Sequence, residues 1–413
     1  MINLSNKQYR DLCLISYFDV KNIKKDLTIK EMVNDILSDE EFLDEASKSY
    51  YHTRMVMDLI KVDLAQFEDF IIVNYMNDNK HSGVVAYLIK YKNNYIILFR
   101  GSEINVENDT NRWQDWIDNF NMLYEEATLQ QLKALDFVNK LYIENESIYL
   151  VGHSKGGHLA MYTALTCNEL IYNKIRKVFT INAPGLSKQV ISNYRQRYKD
   201  KIVKSCICIE NKNDLVSSIF RNERLALITK SVYDNKRMID VFDNHQLYSV
   251  CMNDNDFDFS YEGKKSALPN LFDMYINDIF MNLPISIREK QVEIASNYLV
   301  ANLDINDIYD LVLGKFSKTM GLFEGLSIEE FKNLEIDLVI NEFKSYFERN
   351  TVLIKTRNFV FKGKEKIEQF SIKDVVSNLI EAYELLMKER RNEYKKTIQD
   401  NLRKISSFIT YKS

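Results

Sequence analysis

A chain of 413 residues with 46% hydrophobic content, 25 tyrosines and 23 phenylalanines can bury two or three domain cores. Its net charge of −4 carries no nucleic-acid footprint, and its five scattered cysteines form no C-x-x-C and no metal-ligand spacing, which suits reduced core thiols. No run approaches the roughly 18 apolar residues of a membrane span, and no apolar block follows Lys7 and Arg10, so a soluble, cytoplasmic protein is expected, with signal-independent secretion left open.

Residues 1–64 read as helical. Thr28-Ile-Lys-Glu31 is a capping box ahead of Met32, Val33, Ile36 and Leu37, and Ser38-Asp-Glu-Glu41 opens a second helix in the same way. These helices are expected to cover one side of a sheet. Three strand-like runs follow, Phe70 to Tyr75, Val84 to Tyr91 and Tyr95 to Arg100, with Asn93-Asn94 as a hairpin turn between the last two. The third run ends in Phe99-Arg100-Gly101-Ser102. A glycine at the carboxyl end of a strand ahead of a nucleophile is where one half of an oxyanion hole is built, and the Ser102 N–H takes that role, with its hydroxyl as an additional donor. Both tryptophans, Trp113 and Trp116, fall in the next segment, where packing is preferred over a loop anchor. Gln130 to Leu141 reads as an amphipathic helix.

Residues 147–166 carry the chemistry. An apolar run from Ile148 to Val151 reads as a buried strand, Gly152-His153-Ser154-Lys155-Gly156 matches G-x-S-x-G, and Leu159 to Leu165 has the content of a packed helix. Strand, tight turn and helix are the context of a nucleophile elbow. The serine must stand at the apex of a strained turn, and Gly152 and Gly156 leave room for the crossing backbone. Lys155 then presents its N–H to a developing oxyanion beside the positive end of the helix, while Gly157 allows the helix to lie close to its neighbouring strand. Three of the chain's 11 glycines fall in residues 152–157, which favours a backbone requirement over a chance match. Beyond the elbow, a strand from Lys177 ends in Ala183-Pro-Gly-Leu186. Ile202 to Ile209 reads as a further strand on which Cys206 and Cys208 share a face.

The segments Ile97 to Ser102, Trp116 to Met122, Val151 to Gly157 and Lys177 to Leu186 resemble a lipase-like bacterial α/β-hydrolase family of largely uncharacterised function, which is similar to the class 3 (fungal triacylglycerol) lipases. The resemblance spans about residues 65–255. It differs at His158, where the family often has Asn, at Asn182-Ala183, where it often has an acidic-Gly pair, and at Ser102, where it often has Thr. It implies an α/β-hydrolase fold with a mostly parallel sheet, and a Ser-Asp-His triad in the chain order Ser, acid, His. Of the five histidines, His52 and His81 come too early, His153 lies inside the motif and His158 one helical turn past the serine, which leaves His245 as the base. Asp214, just past a strand end, is the preferred acid; Asp234, Asp240 and Asp243 remain rivals. The expected reaction is acyl-ester hydrolysis through an acyl-enzyme, on a lipid or other carboxylic ester, with no metal and no organic cofactor. A thioesterase or acyltransferase would use the same parts, and a non-catalytic interaction protein on the same fold is the alternative from another class.

Past residue 264 the text becomes mainly helical, with a hairpin pattern at residues 351–362 and a final helix opened by Ser371-Ile-Lys-Asp374. Its basic cluster from Lys388 to Lys404 offers a lid, a protein contact or an anionic membrane surface, against the preferred reading of a helix packed on its own domain. The expected domains are a helical segment 1–64, a hydrolase domain 65–264 and a helical domain 265–413.

Overall fold

In a computed structural model of the chain, residues 4–19, 26–47, 50–102, 114–220, 226–233, 243–252, 256–260 and most of 263–293 are described. The chain divides into two compact units, Met1–Asp273 and Met274–Ser413. The first unit therefore runs past residue 264. The hairpin and final helix read from the C-terminal sequence, the side chains of both tryptophans, Asp234 and Asp240 lie outside the described residues.

Seven strands form one sheet in sequential order: β1 Ile71–Asp78, β2 Val84–Tyr91, β3 Asn94–Phe99, β4 Ser147–His153, β5 Ile175–Ile181, β6 Cys206–Asn211 and β7 Ala226–Thr229. The first two pairings are antiparallel and the other four parallel. Successive side chains of a strand point to opposite faces. Ile96, Leu98, Tyr149, Val151 and Phe179 accordingly pack with Leu12, Ile29 and Met32 of the N-terminal helices. Their neighbours Ile97, Phe99, Ile148, Leu150 and Val178 pack with Ala134, Leu159 and Leu165 on the other face. Helices on both faces of a mainly parallel sheet make an α/β architecture.

The N-terminal helices are α1 Asn6–Ile15, α2 Ile29–Leu37, α3 Glu40–Ser47 and α4 Tyr50–Leu59. Capping boxes start α1 at Ser5 and α2 at Thr28. The cap of α3 sits one residue later than expected, because Asp39 rather than Ser38 accepts from the Phe42 N–H. The carboxyl end of β3 is tied to this layer: Arg100 Nε donates to the Ser16 carbonyl at 2.6 Å and its guanidinium pairs with Asp19.

Other boundaries also differ from the sequence pattern. Tyr91 pairs with Asn94, so the hairpin turns on Lys92-Asn93, with Lys92 at φ 53°. Ile202 belongs to a helical turn, Lys199–Val203, and the strand starts only at Cys206, since a buried apolar residue serves either element equally well. The Cys206 and Cys208 sulfurs are not joined in a disulfide and lie 3.4 Å apart on one face. Strand β7, four residues long, has no counterpart in the sequence reading. Helix α5 spans Gln114–Asn121, and α6 Leu129–Asn139 and α7 Lys155–Thr166 pack on the sheet face opposite the N-terminal helices. Among the described residues no helix is long and apolar enough to cross a membrane.

Candidate active site

The parallel strands end along one edge of the sheet, and the candidate residues lie in the segments that follow β3, β4, β6 and β7, where open α/β sheets place their ligands. Ser154 follows β4 directly and has φ 54° and ψ −130°, a conformation that an L-residue holds only when its surroundings impose it. Those surroundings leave no room for side chains. A Cβ on Gly152 would lie 2.2 Å from the Gly156 backbone, and one on Gly156 would lie 2.2 Å from the Phe99 carbonyl oxygen. A Cβ on Gly157 would meet Ala183 at 2.6 Å, so this glycine brings α7 close to the β5 turn.

Three side chains far apart in sequence form one hydrogen-bonded chain. Ser154 Oγ lies 2.7 Å from His245 Nε2, and His245 Nδ1 lies 2.9 Å from Asp214 Oδ1. A carboxylate only accepts, so Nδ1 carries the proton and Nε2 accepts from the serine hydroxyl. Asp214 is fully buried and also accepts from the Val216 and Ser217 backbone N–H groups at 3.1 and 2.9 Å. Burial pushes its pKa up, but His245, the Lys265 ammonium and the Ser217 hydrogen bond outweigh that and hold it below the ordinary carboxylate value. The rival Asp243 instead accepts from the Tyr248 hydroxyl at 2.7 Å.

The loop bearing His245 is held from beneath. The His245 carbonyl accepts from His153 Nε2–H at 2.8 Å and from Asn182 Nδ2 at 3.0 Å. With its Nε2 donating, His153 accepts at Nδ1 from the Tyr17 hydroxyl at 2.6 Å. Burial above all, then the neighbouring His245, pushes the His153 pKa down to about 3, so this imidazole stays neutral. The other histidines stand apart from Ser154. His158 Nδ1–H donates to the Gly185 carbonyl at 2.6 Å and its Nε2 accepts from Gln131 at 2.7 Å. His81 sits on the Asp78 turn, and burial lowers the pKa of His52.

Ser102 and Lys155 flank the serine from two sides. A Cβ on Gly101 would be 3.1 Å from Ser154 Cβ, so the β3 end runs directly beside Ser154. Ser102 Oγ accepts from Asn119 Nδ2 at 2.8 Å. Lys155 is the first residue of α7, and its ammonium is buried against Asp118. Sequence reasoning had no role for Tyr17, Asp118, Asn119, Asn182 or Lys265, because each acts across a long gap in the chain. The one local signal was the polar Asp118-Asn119 pair in a segment that carries both tryptophans.

A family model described as Mbeg1-like matches residues 62–294, more than half of the chain. The chain belongs to the Mbeg1-like family. Its sheet topology and strained strand–serine–helix turn are those of an α/β-hydrolase fold, and this lipase-like membership agrees with the resemblance read from the sequence. No curated protein matches this Mbeg1-like chain. Among solved structures it is similar to the M37 lipase (14% identity, 81% of this chain and 99% of that one, TM-score 0.30). It is also similar to a fungal lipase (11% identity, 68% and 97%, TM-score 0.34) and to the Rhizomucor miehei triacylglyceride lipase (15% identity, 48% and 83%, TM-score 0.27).

Proposed function

We propose that this Mbeg1-like chain is a serine hydrolase of acyl esters. The observation that supports the reading best is the continuous hydrogen-bonded chain from Ser154 Oγ through His245 to Asp214. In this mechanism His245 Nε2 takes the hydroxyl proton as Oγ attacks the acyl carbonyl. Asp214 holds the imidazole by its Nδ1–H and stabilises the imidazolium that forms, for which its depressed pKa suits it. The Ser102 and Lys155 N–H groups bind the oxyanion. His245 then protonates the leaving alkoxide, and a water, activated by the same imidazole, releases the acyl group from Ser154. The lipase neighbours make a lipid or other carboxylic ester the substrate class to test first.

The test is labelling by a fluorophosphonate probe of the parent, Ser154→Ala and His245→Ala proteins, followed by turnover of p-nitrophenyl esters and thioesters of graded chain length. Labelling of the parent alone, with ester turnover, is the expected result. A folded parent that is neither labelled nor active on any member of the panel refutes the proposal.

A further inference from the structure

Parallel strands gather their incoming connections at one edge of a sheet, opposite the edge that carries Ser154. The connections into β4, β5 and β6 lie side by side there, because these strands are neighbours. Each presents a large apolar side chain to solvent. Tyr142 ahead of β4 is 84% exposed, Leu170 ahead of β5 is 74% exposed and Val203 ahead of β6 is 41% exposed. The same edge is basic. Residues 174–204 hold nine lysines and arginines against Asp200 alone, in a chain whose net charge is −4. We infer that this amino-terminal edge of the parallel strands docks on an anionic membrane surface. Tyr142, Leu170 and Val203 enter the headgroup layer, and Arg176, Lys199 and Lys204 face its phosphates. The inference does not depend on the serine-hydrolase reading.

Three observations carry it. First, hydrogen bonds join the segments into one surface. The Asn168 N–H donates to Asn139 Oδ1 at 2.8 Å, Lys174 Nζ to the Ile143 carbonyl at 2.6 Å and Lys201 Nζ to the Ile175 carbonyl at 2.7 Å. Second, the charge is not neutralised from within. Arg197 is occupied by Glu169 and by the Leu165 and Cys167 carbonyls at the end of α7. Arg176 and Lys199, by contrast, are exposed and make no ion pair among the described residues. Lys204 pairs with Asp200 at 2.9 Å, a surface contact of the kind that contributes little. Crowding shows at Lys201, which shares the Tyr172 ring with Arg197 at 4.5 and 4.3 Å. Burial first, and then the Arg176 charge, push the Lys201 pKa down. Such a field attracts an anionic leaflet, with each cation near the surface strengthening binding about fivefold. Third, cations alone would suit any polyanion, but exposed Leu170 and Val203 have no use against a hydrated chain of phosphates. An interfacial face needs both, apolar side chains that reach the acyl boundary and cations at the headgroups. Tyr142 suits the border between them, with an apolar ring and a polar hydroxyl. Docked this way, Ser154, past the far end of the seven-residue β4, stands about 23 Å from the docking edge and on the water side.

The experiment sediments the full chain with sucrose-loaded vesicles of phosphatidylcholine, either alone or with about 30% phosphatidylserine. The parent is compared with Arg176→Gln/Lys199→Gln/Lys204→Gln and Tyr142→Ser/Leu170→Ser proteins, and thermal unfolding without vesicles checks that each is folded. All five substituted side chains are exposed, so the melting temperatures should match the parent's. The parent is expected to bind the anionic vesicles and not the neutral ones. It should detach as salt rises from about 0.1 M to about 1 M, where the screening length shrinks from about 10 Å to about 3 Å. Removing three cations should weaken binding about a hundredfold. Removing two apolar side chains should weaken it about tenfold. A parent that stays in solution with both vesicles, or sediments equally with both, overturns the inference. So does a triple variant that binds like the parent, which would place the binding elsewhere in the chain. A loss confined to the triple variant overturns it as well, by assigning the edge to a soluble polyanion.

Discussion

The neutrality of His153 has a consequence for stability that can be measured without any substrate. This imidazole is 2% exposed between Tyr17 and the His245 carbonyl, and its pKa falls from 6.5 to about 3. In the unfolded chain it binds a proton below about pH 6.5, whereas in the folded protein it does so only near pH 3. The unfolded state therefore gains protons first as the pH falls, and stability drops across that window. Each unit of separation is worth about 1.4 kcal/mol, which makes the penalty at pH 4.5 about 2.5 kcal/mol relative to pH 7, rising to about 4 kcal/mol near pH 3. Asp214 acts in a lower window. Its folded pKa lies below 3.8, so its contribution is present above about pH 4 and is lost only as the pH falls further. Urea unfolding at pH 7 and pH 4.5 of the parent and of His153→Gln isolates the effect. Glutamine keeps a donor for the His245 carbonyl but does not titrate. The variant should lose about 2.5 kcal/mol less than the parent between the two pH values. Parallel losses in the two proteins would refute the assignment of a neutral, buried His153.

Two further perturbations probe the walls of the site. In Gly101→Ala the new methyl would lie 2.1 Å from the Tyr17 hydroxyl and 2.8 Å from the His153 carbonyl, so both melting temperature and ester turnover should fall. Adding Tyr17→Phe relieves only the first contact and should recover part of the stability, as differential scanning calorimetry would show; full recovery would mean that the backbone contact is harmless. Lys265 donates to Ser217 and Ser218 at 2.7 and 3.0 Å and pairs with buried Glu210 at 2.8 Å. Lys265→Met should cost about 3 kcal/mol in urea unfolding, a cost largely removed by adding Glu210→Leu, because what destabilises is the buried charge stripped of its cation. An unchanged unfolding midpoint in the single variant would contradict this.

Much of the architecture was legible because it depends on periodicities and on residues adjacent in the chain. Strands β2, β3 and β4 and helices α2 and α6 follow from apolar runs, capping boxes and turn residues that act over a few positions. The G-x-S-x-G turn was legible for the same reason: the clashes that demand Gly152 and Gly156 arise within one turn of backbone. Boundaries failed where two local readings were equally good. Ile202 is apolar and buried whether it lies on a strand or in a helical turn, and β7 is too short to show a period.

The site separates along the same line. Ser154 was singled out by one motif, His245 and the preferred acid Asp214 by the triad order that the resemblance implies together with the scarcity of histidine, and Gly152, Gly156, Gly157, Ser102 and Lys155 by their places beside the motif and the β3 end. What the sequence could not contain is the set of contacts that close over long loops. Tyr17 meets His153 across 136 positions, Lys265 meets Ser217 across 48, and Asp118 meets Lys155 across 37. Side chains at such separations have no periodicity that links them, and only the packing of helices on a finished sheet brings them within hydrogen-bonding distance. Local sequence thus determined which groups could carry the chemistry, while tertiary structure alone decided which groups hold them in place, because positioning is a property of distances that the chain acquires only when folded.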